Sequence, residues 1–212
     1  MMQFAHKHLA LVRGMSFYKL MGSGKGMGFN PFPDWGTYAL LQTWNSEEDA
    51  LEFMHSSELM RKYKNHCLEN WTVFMRNISA HGTWDGGNPF LQGYTDEDIP
   101  YIAVITRATI RTRSLIRFWK YVPTSQIPLI GNTGLVYTKG IGEVPIVNMA
   151  TFSLWEDKDS LQKFAYQSKE HHKAIEMTRE LNWYKEELFS RFQPYMTLGS
   201  WGNVKLGLKN LS

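Results

Sequence analysis

The segment KEHHKAI sets two imidazoles side by side, His171 and His172, in a stretch (residues 159–180) whose apolar residues recur at helical spacing. An imidazole can ligate a metal through one ring nitrogen or exchange a proton near neutral pH. At about 100° per residue, Leu161, Ala165, Ser168 and Ile175 share one face that Phe164 widens; His172 falls inside this stripe and His171 at its flank. Adjacent helical residues diverge by about 100°, so the pair cannot chelate one ion together, and a zinc site would need further protein ligands. A single axial imidazole, as in haem proteins, requires only one of them, with an apolar pocket and basic residues for the propionates. The plainer reading is a structural or solvated histidine.

A second cluster, TRATIRTRSLIRFWKYVP, spans 106–123. Arg107 shares a strand face with Ala103 and Ile105, so if that face is buried its guanidinium requires an anion or polar ligand. Arg113 and Arg117 stand at i, i+4 on a following helix; Arg111 precedes them, and a charge run of this kind is usually a solvated face. The glycine-rich MGSGKGMGF, 21–29, is a poor phosphate loop, because Lys25 is followed by Gly26 rather than Ser or Thr and NPFP cannot open a helix. It reads as a pliable loop at a cavity mouth.

The elements that must hold these residues are laid out by an internal repeat. TYALLQTWNSEEDALEFM overlays NMATFSLWEDKDSLQKFA, pairing Trp44 with Trp155 and Phe53 with Phe164 at a separation of 111 residues. Asn70-Trp71 meets Asn182-Trp183 at 112, and Gly82-Thr83-Trp84 meets Gly199-Ser200-Trp201 at 117. At a separation of 111, His171 and His172 replace Met60 and Arg61, so the fold itself does not require the pair. Each half reads as an alternating strand (8–14 and 101–110), a short helix (114–122 in the second half, ended by Pro123), two strands, a longer helix capped by Ser46 or Asp157, and a last strand near Trp84 or Trp201. This predicts an α+β chain of tandem duplicated ferredoxin-like modules, β-α-β-β-α-β twice, forming a fused dimeric α+β barrel. The N-terminal module covers 1–84, a Gly/Pro-rich linker 85–100, and the C-terminal module 101–212.

Composition narrows the partners. A net charge of +3 from 23 basic and 20 acidic residues, dispersed along the chain, argues against nucleic acid. The single cysteine, Cys67, excludes an intramolecular disulfide and a Cys-rich metal site. No secretory leader or run of about 18 apolar residues is visible, which predicts a cytoplasmic protein. Aromatic content of 14%, with eight Trp, requires a thick core, an apolar ligand cavity or a subunit interface. No Ser-His-Asp set or carboxylate pair supports a cofactor-free hydrolase.

The combination of ITRATIRTRSLIRFWKYVP, GIGEVPIVNMATFSLWED, HHKAI, NWYKEELFSRF and GSW resembles the spheroidene monooxygenase family, and MGSGKGMGFNPFPDWGTYALLQTW extends the resemblance into the first half. It implies a haem monooxygenase that uses dioxygen and ferredoxin-type electrons to hydroxylate a hydrophobic substrate, a carotenoid, and oxidise it on to a ketone. The family pattern has a His four residues before the Ile of an Ala-Ile pair, which matches His171 as the metal ligand; helical phase favours His172, and both stay open here. The resemblance casts Arg107 as a distal catalytic or propionate-facing residue. Arg111, Arg113 and Arg117 become candidates for pairing with haem propionates, and Trp119, Phe152 and Trp155 for apolar walls. Peripheral membrane association would give access to such a substrate. A haem enzyme of another type, aldoxime-dehydratase-like, a non-catalytic haem or apolar-ligand binder and a cofactor-free barrel are the competing readings.

Overall fold

The computed structural model describes residues 5–27, 30–125, 129–167 and 181–211. His171 and His172 therefore lie outside the described residues. A short helix α1 (His6–Leu9) leads into strands β1 (Met15–Gly24) and β2 (Pro33–Trp44), helices α2 (Glu47–Ser56) and α3 (Glu58–His66), and strand β3 (Trp71–Gly82). After the linker come β4 (Ile102–Ile110), a 3-10 turn at Thr112–Ser114, α4 (Leu115–Ser125), β5 (Leu135–Val144), β6 (Asn148–Trp155), α5 (Lys158–Gln167), β7 (Tyr184–Gly199) and β8 (Lys209–Leu211).

The eight strands among the described residues join one sheet in the order β2-β1-β5-β6-β4-β7-β3, with β8 beside β7. The second half realises the expected β-α-β-β-α-β plan, with its first strand, β4, hydrogen-bonded between β6 and β7. Side chains from β1 through β7 meet in one core built around Met21, Trp84, Ala103, Ile105, Leu154, Leu188 and Phe192. Because neighbouring side chains alternate faces, a single core fed by seven strands requires the sheet to curl around it like a barrel. That interior is packed with side chains. On the outside, α2 and α3 cover Phe74, Met196 and Leu198, while α5 lays Leu161 against Val104 and Trp155.

Local chemistry explains the element ends. Ser46 Oγ accepts from Asp49 N at 3.1 Å and Asp157 Oδ1 from Ser160 N at 2.6 Å, the two predicted caps. The expected single long helix in the first half is broken at Ser57, whose extended backbone separates α2 from α3. Helix α4 runs through Pro123 to Ser125 instead of stopping before it.

The predicted strand at 8–14 is corrected: α1 and a turn occupy it. Ala5 and Leu9, both 1% exposed, are spaced i, i+4, so the apolar residues here serve a helical face. The true counterpart of this segment is the turn before β5. Gly14 O accepts from Asn45 N at 2.8 Å, as Gly134 O does from Glu156 N at 2.9 Å. A methyl group on Gly14 would strike Asp49, and one on Gly134 would strike Ser160.

Candidate functional site

The inner face of β4 carries Ala103, Ile105 and Arg107, and Arg107 is only 2% exposed. A buried guanidinium demands compensation, and three carboxylates supply it. Nη1 of Arg107 donates to Glu186 Oε2, while its Nη2 lies 3.8 Å from Glu143 Oε1 and 3.9 Å from Asp85 Oδ1. Lys19 from β1 pairs with Asp85 and, at 2.6 Å, with Glu143 Oε2. Trp84 donates Nε1 to Glu143 Oε1 at 2.8 Å, and the Arg107 guanidinium stands 5.5 Å from its ring. Arg107 Nε has no hydrogen-bond partner among the described residues.

Backbone geometry holds the cluster in place. Asp85 (φ 55°) and Gly86 (φ 80°) form the left-handed centre of a turn closed by Trp84 and Gly87. That turn aims Gly86 N at Glu186 Oε1 (2.7 Å), beside the Thr83 hydroxyl at 2.9 Å. Burial alone would raise the Glu186 carboxyl, but donation from Gly86, Thr83 and Arg107 outweighs it and pulls the pKa down to about 2. Lys19 is held above its ordinary value: burial opposes its charge, and bonding to Asp85 and Glu143 overcomes that. A cleft of about 320 Å³ lined by His6, Tyr18, Lys19, Leu20 and Glu143 brings solvent to one side. A larger open cleft, about 560 Å³, lies where Pro100 and Tyr101 face residues 203–205 and contains none of the predicted site residues.

A depressed carboxyl contributes stability above its unfolded value and loses it as pH falls through its folded value. For Glu186 the window runs from 4.5 down to about 2. The contribution is at most about 3 kcal/mol. Thermal melts should therefore fall steeply across that window, and Glu186→Gln should flatten the slope; an unchanged slope would mean that Glu186 does not carry it.

The other predicted residues lie apart from Arg107. Arg111 Nε donates to Tyr184 O at 3.0 Å; Arg113 and Arg117 are exposed, without ion pairs among the described residues. Trp119 donates to Ile146 O at 3.1 Å, Trp155 is core against Val104 and Leu161, and Phe152 faces the barrel interior, so these three do not form one wall. On the outer face, Thr106 pairs across strands with Thr151 and Phe189, making a shelf on which Thr106 is exposed. In the first half, the counterpart face is roofed by α2 and α3, with Leu40 standing where Thr151 stands. Arg191 lies 5.3 Å from the Phe189 ring. Among the described residues, no group of three His, Cys, Asp or Glu could hold a metal ion. No described helix is long and apolar enough to cross a membrane.

The chain is 36% identical over 189 residues to the spheroidene monooxygenase of Rhodobacter capsulatus, covering 88% of this chain and 78% of that protein. This chain belongs to the spheroidene monooxygenase family. The Cereibacter sphaeroides member is 38% identical over 186 residues, 87% of this chain, and the chain spans 57% of its length. The Rubrivivax gelatinosus member is 32% identical over 194 residues, 92% of this chain and 74% of that protein. No protein-family profile matches. Among solved structures, a proposed monooxygenase from Fusobacterium nucleatum aligns at TM-score 0.46 and 10% identity over 98% of this chain and 87% of that one. An anthrone oxidase-like protein aligns at TM-score 0.35 and 13% identity over 97% and 90%. At such scores neither likeness carries an argument. Within the spheroidene monooxygenase family, the acidic partners Asp85, Glu143 and Glu186 are the residues that sequence reasoning missed here; only the Asp-Gly turn at 85–86 gave a local signal.

Proposed function

We propose that this chain forms the core of a haem-dependent monooxygenase acting on a hydrophobic, polyene-like substrate, in which His171 would hold the haem iron. The observation that carries the choice of ligand is the exposure pattern of α3. At a separation of 111 residues His171 corresponds to Met60, and at 112 to Leu59; these are 5% and 7% exposed, so both face inward. His172 corresponds to exposed Arg61 at the first separation and to Met60 at the second. His171 thus corresponds to an inward-facing first-half residue under either alignment, whereas the helical phase that favours His172 assumes one unbroken helix. The first half breaks its helix at Ser57.

Two features of the described residues support this reading. On the outer face of the sheet, Thr106 is exposed beside its cross-strand neighbours Thr151 and Phe189, both half-buried, which supports a ligand surface there. Phe118 packs edge-on against Trp183 and Tyr184, centroids 6.0 and 6.2 Å apart, giving apolar surface beside Arg111. Arg111, Arg113 and Arg117 would pair with the propionates, and Arg107 would act through its ion network as a positioning residue. When bound, the haem supplies dioxygen activation; the chain supplies orientation and exclusion of water. One oxygen atom would enter the substrate and the other leave as water, which consumes two electrons from a ferredoxin-type donor and two protons from solvent. Peripheral membrane contact would deliver the apolar substrate.

Expression with haem supply should give a Soret band, retained in His172→Ala and lost in His171→Ala. No Soret band in the parent chain, with no haem by pyridine assay, would overturn the haem reading; loss in His172→Ala alone would reassign the ligand.

A further inference from the structure

Between Asp98 and Glu143 the sequence contains no acidic residue, yet it carries Arg107, Arg111, Arg113, Arg117, Lys120 and Lys139. Arg107 and Lys139 are paired with carboxylates of the fold. Three of the others reach solvent on one face. Arg113 in the 3-10 turn and Arg117 and Lys120 on α4 are exposed, together with Ile116, which is 77% exposed. Positions 113, 116, 117 and 120 recur at i, i+3, i+4 and i+7 and so form a single outward stripe. None of its cations has an ion pair among the described residues. The other side of α4 is committed to the fold: Phe118 packs edge-on against Trp183 and Tyr184, and Trp119 Nε1 donates to Ile146 O at 3.1 Å.

That bond fastens α4 to the turn between β5 and β6. Turns are ordinarily built from polar residues and glycine, but Val144, Pro145 and Ile146 are all exposed here, Val144 by 49% and Ile146 by 42%. Ile146 has φ 73°, a left-handed conformation that a β-branched residue adopts only under strain, and such strain gathers at functional surfaces. Glu143, the acid next to this turn, is taken up by Lys19 and by the Trp84 indole. Helix and turn together present Ile116, Val144 and Ile146 beside three free cations.

We infer that this surface docks a small acidic electron-carrier protein. The inference rests on the monooxygenase reading, in which the two electrons used per turnover come from outside the substrate; the reduced carrier would supply them and leave oxidised. A few aliphatic side chains bordered by charge match the small footprint of a transient electron-transfer encounter, where opposite charge steers the approach. A lipid surface fits less well. Aromatic side chains favour the lipid interface, and those of α4, Phe118 and Trp119, are engaged with the fold.

Ile116 and Lys120 have no part in holding haem, so they carry the test. Titration with an acidic plant-type ferredoxin should show binding that weakens about tenfold or more between about 20 and 300 mM salt. Ile116→Asp and Lys120→Glu should each weaken it about tenfold at low salt, with melting temperatures like the parent's because both side chains are exposed. Lys158→Glu, the same charge change on exposed α5, should leave binding as it was. No saturable binding at low salt, binding indifferent to both substitutions, or an equal loss with Lys158→Glu would each overturn the inference. So would capture by phosphatidylserine vesicles that Ile116→Asp abolishes while ferredoxin fails to bind, since that would make the partner a lipid surface. Haem is read separately: ferredoxin binding without a Soret band would sink the haem reading alone, and a Soret band without ferredoxin binding would sink the docking surface alone.

Discussion

Replacing Arg107 with Met should cost about 3–5 kcal/mol of folding stability, because removing one partner from a buried charge network strands the others. Here the stranded groups are Glu186 and Glu143, whose side chains are 19% and 17% exposed, and the lost cation leaves Lys19 alone against three carboxylates. Arg107→Lys should not restore the parent, since an ammonium cannot span Glu186 on one side and Glu143 with Asp85 on the other. The double variant Arg107→Met, Glu186→Gln should recover part of the loss. Urea unfolding of the three variants measures this, and a cost below about 1 kcal/mol for Arg107→Met would show the network to be energetically slack.

Gly82→Ala and Gly199→Ala should each cost about 3 kcal/mol or more, through left-handed backbone strain compounded by a collision with main chain. Gly82 has φ 93° and Gly199 φ 77°. A Cβ on Gly82 would lie 2.1 Å from Glu187 O, and one on Gly199 would lie 2.1 Å from Asn70 O. These are the same contact seen from the two ends of the β3–β7 ladder, where Trp71 faces Gly199 and Gly82 faces Leu188. Gly131 provides the control: its φ is 76°, yet among the described residues nothing lies within 4 Å of its would-be Cβ. Gly131→Ala should cost only about 1 kcal/mol. Equal losses at all three sites in thermal unfolding would mean that backbone conformation alone, not the close approach, decides the effect.

Those glycines also show what was legible in the sequence. The pairing of Gly82-Thr83-Trp84 with Gly199-Ser200-Trp201 is visible by eye, and the structure gives both glycines one geometric role. The caps at Ser46 and Asp157 were equally readable, since capping is a local matter between a side chain and an amide three residues on. The alternation in β4 placed Arg107 on the face of Ala103 and Ile105 and, were that face buried, required an anion or polar ligand for it; the face is buried. Which anion was not legible: Glu186 lies 79 residues away and Lys19 meets Glu143 across 124, and no local pattern marks such partners. HLALVRG misled because Leu9 and Leu11 alternate as in a strand, whereas Ala5 and Leu9, four apart, are the pair actually buried. The family resemblance, by contrast, was carried by whole segments and is matched by relatives over most of the chain.

The pairing of β3 with β7 also sets the order of events during synthesis. These strands close the two halves on each other, yet more than a hundred residues separate them, and β7 leaves the ribosome long after β3. Until then β3 waits with no β7 to pair with, and the burial of Trp84 and Phe90 against Phe192 and Leu188 must wait too. Contacts this distant in sequence pay their loop entropy before any return, which makes folding slow and leaves a sticky intermediate. The nascent first half is thus the stage at which a holdase-type chaperone would matter most.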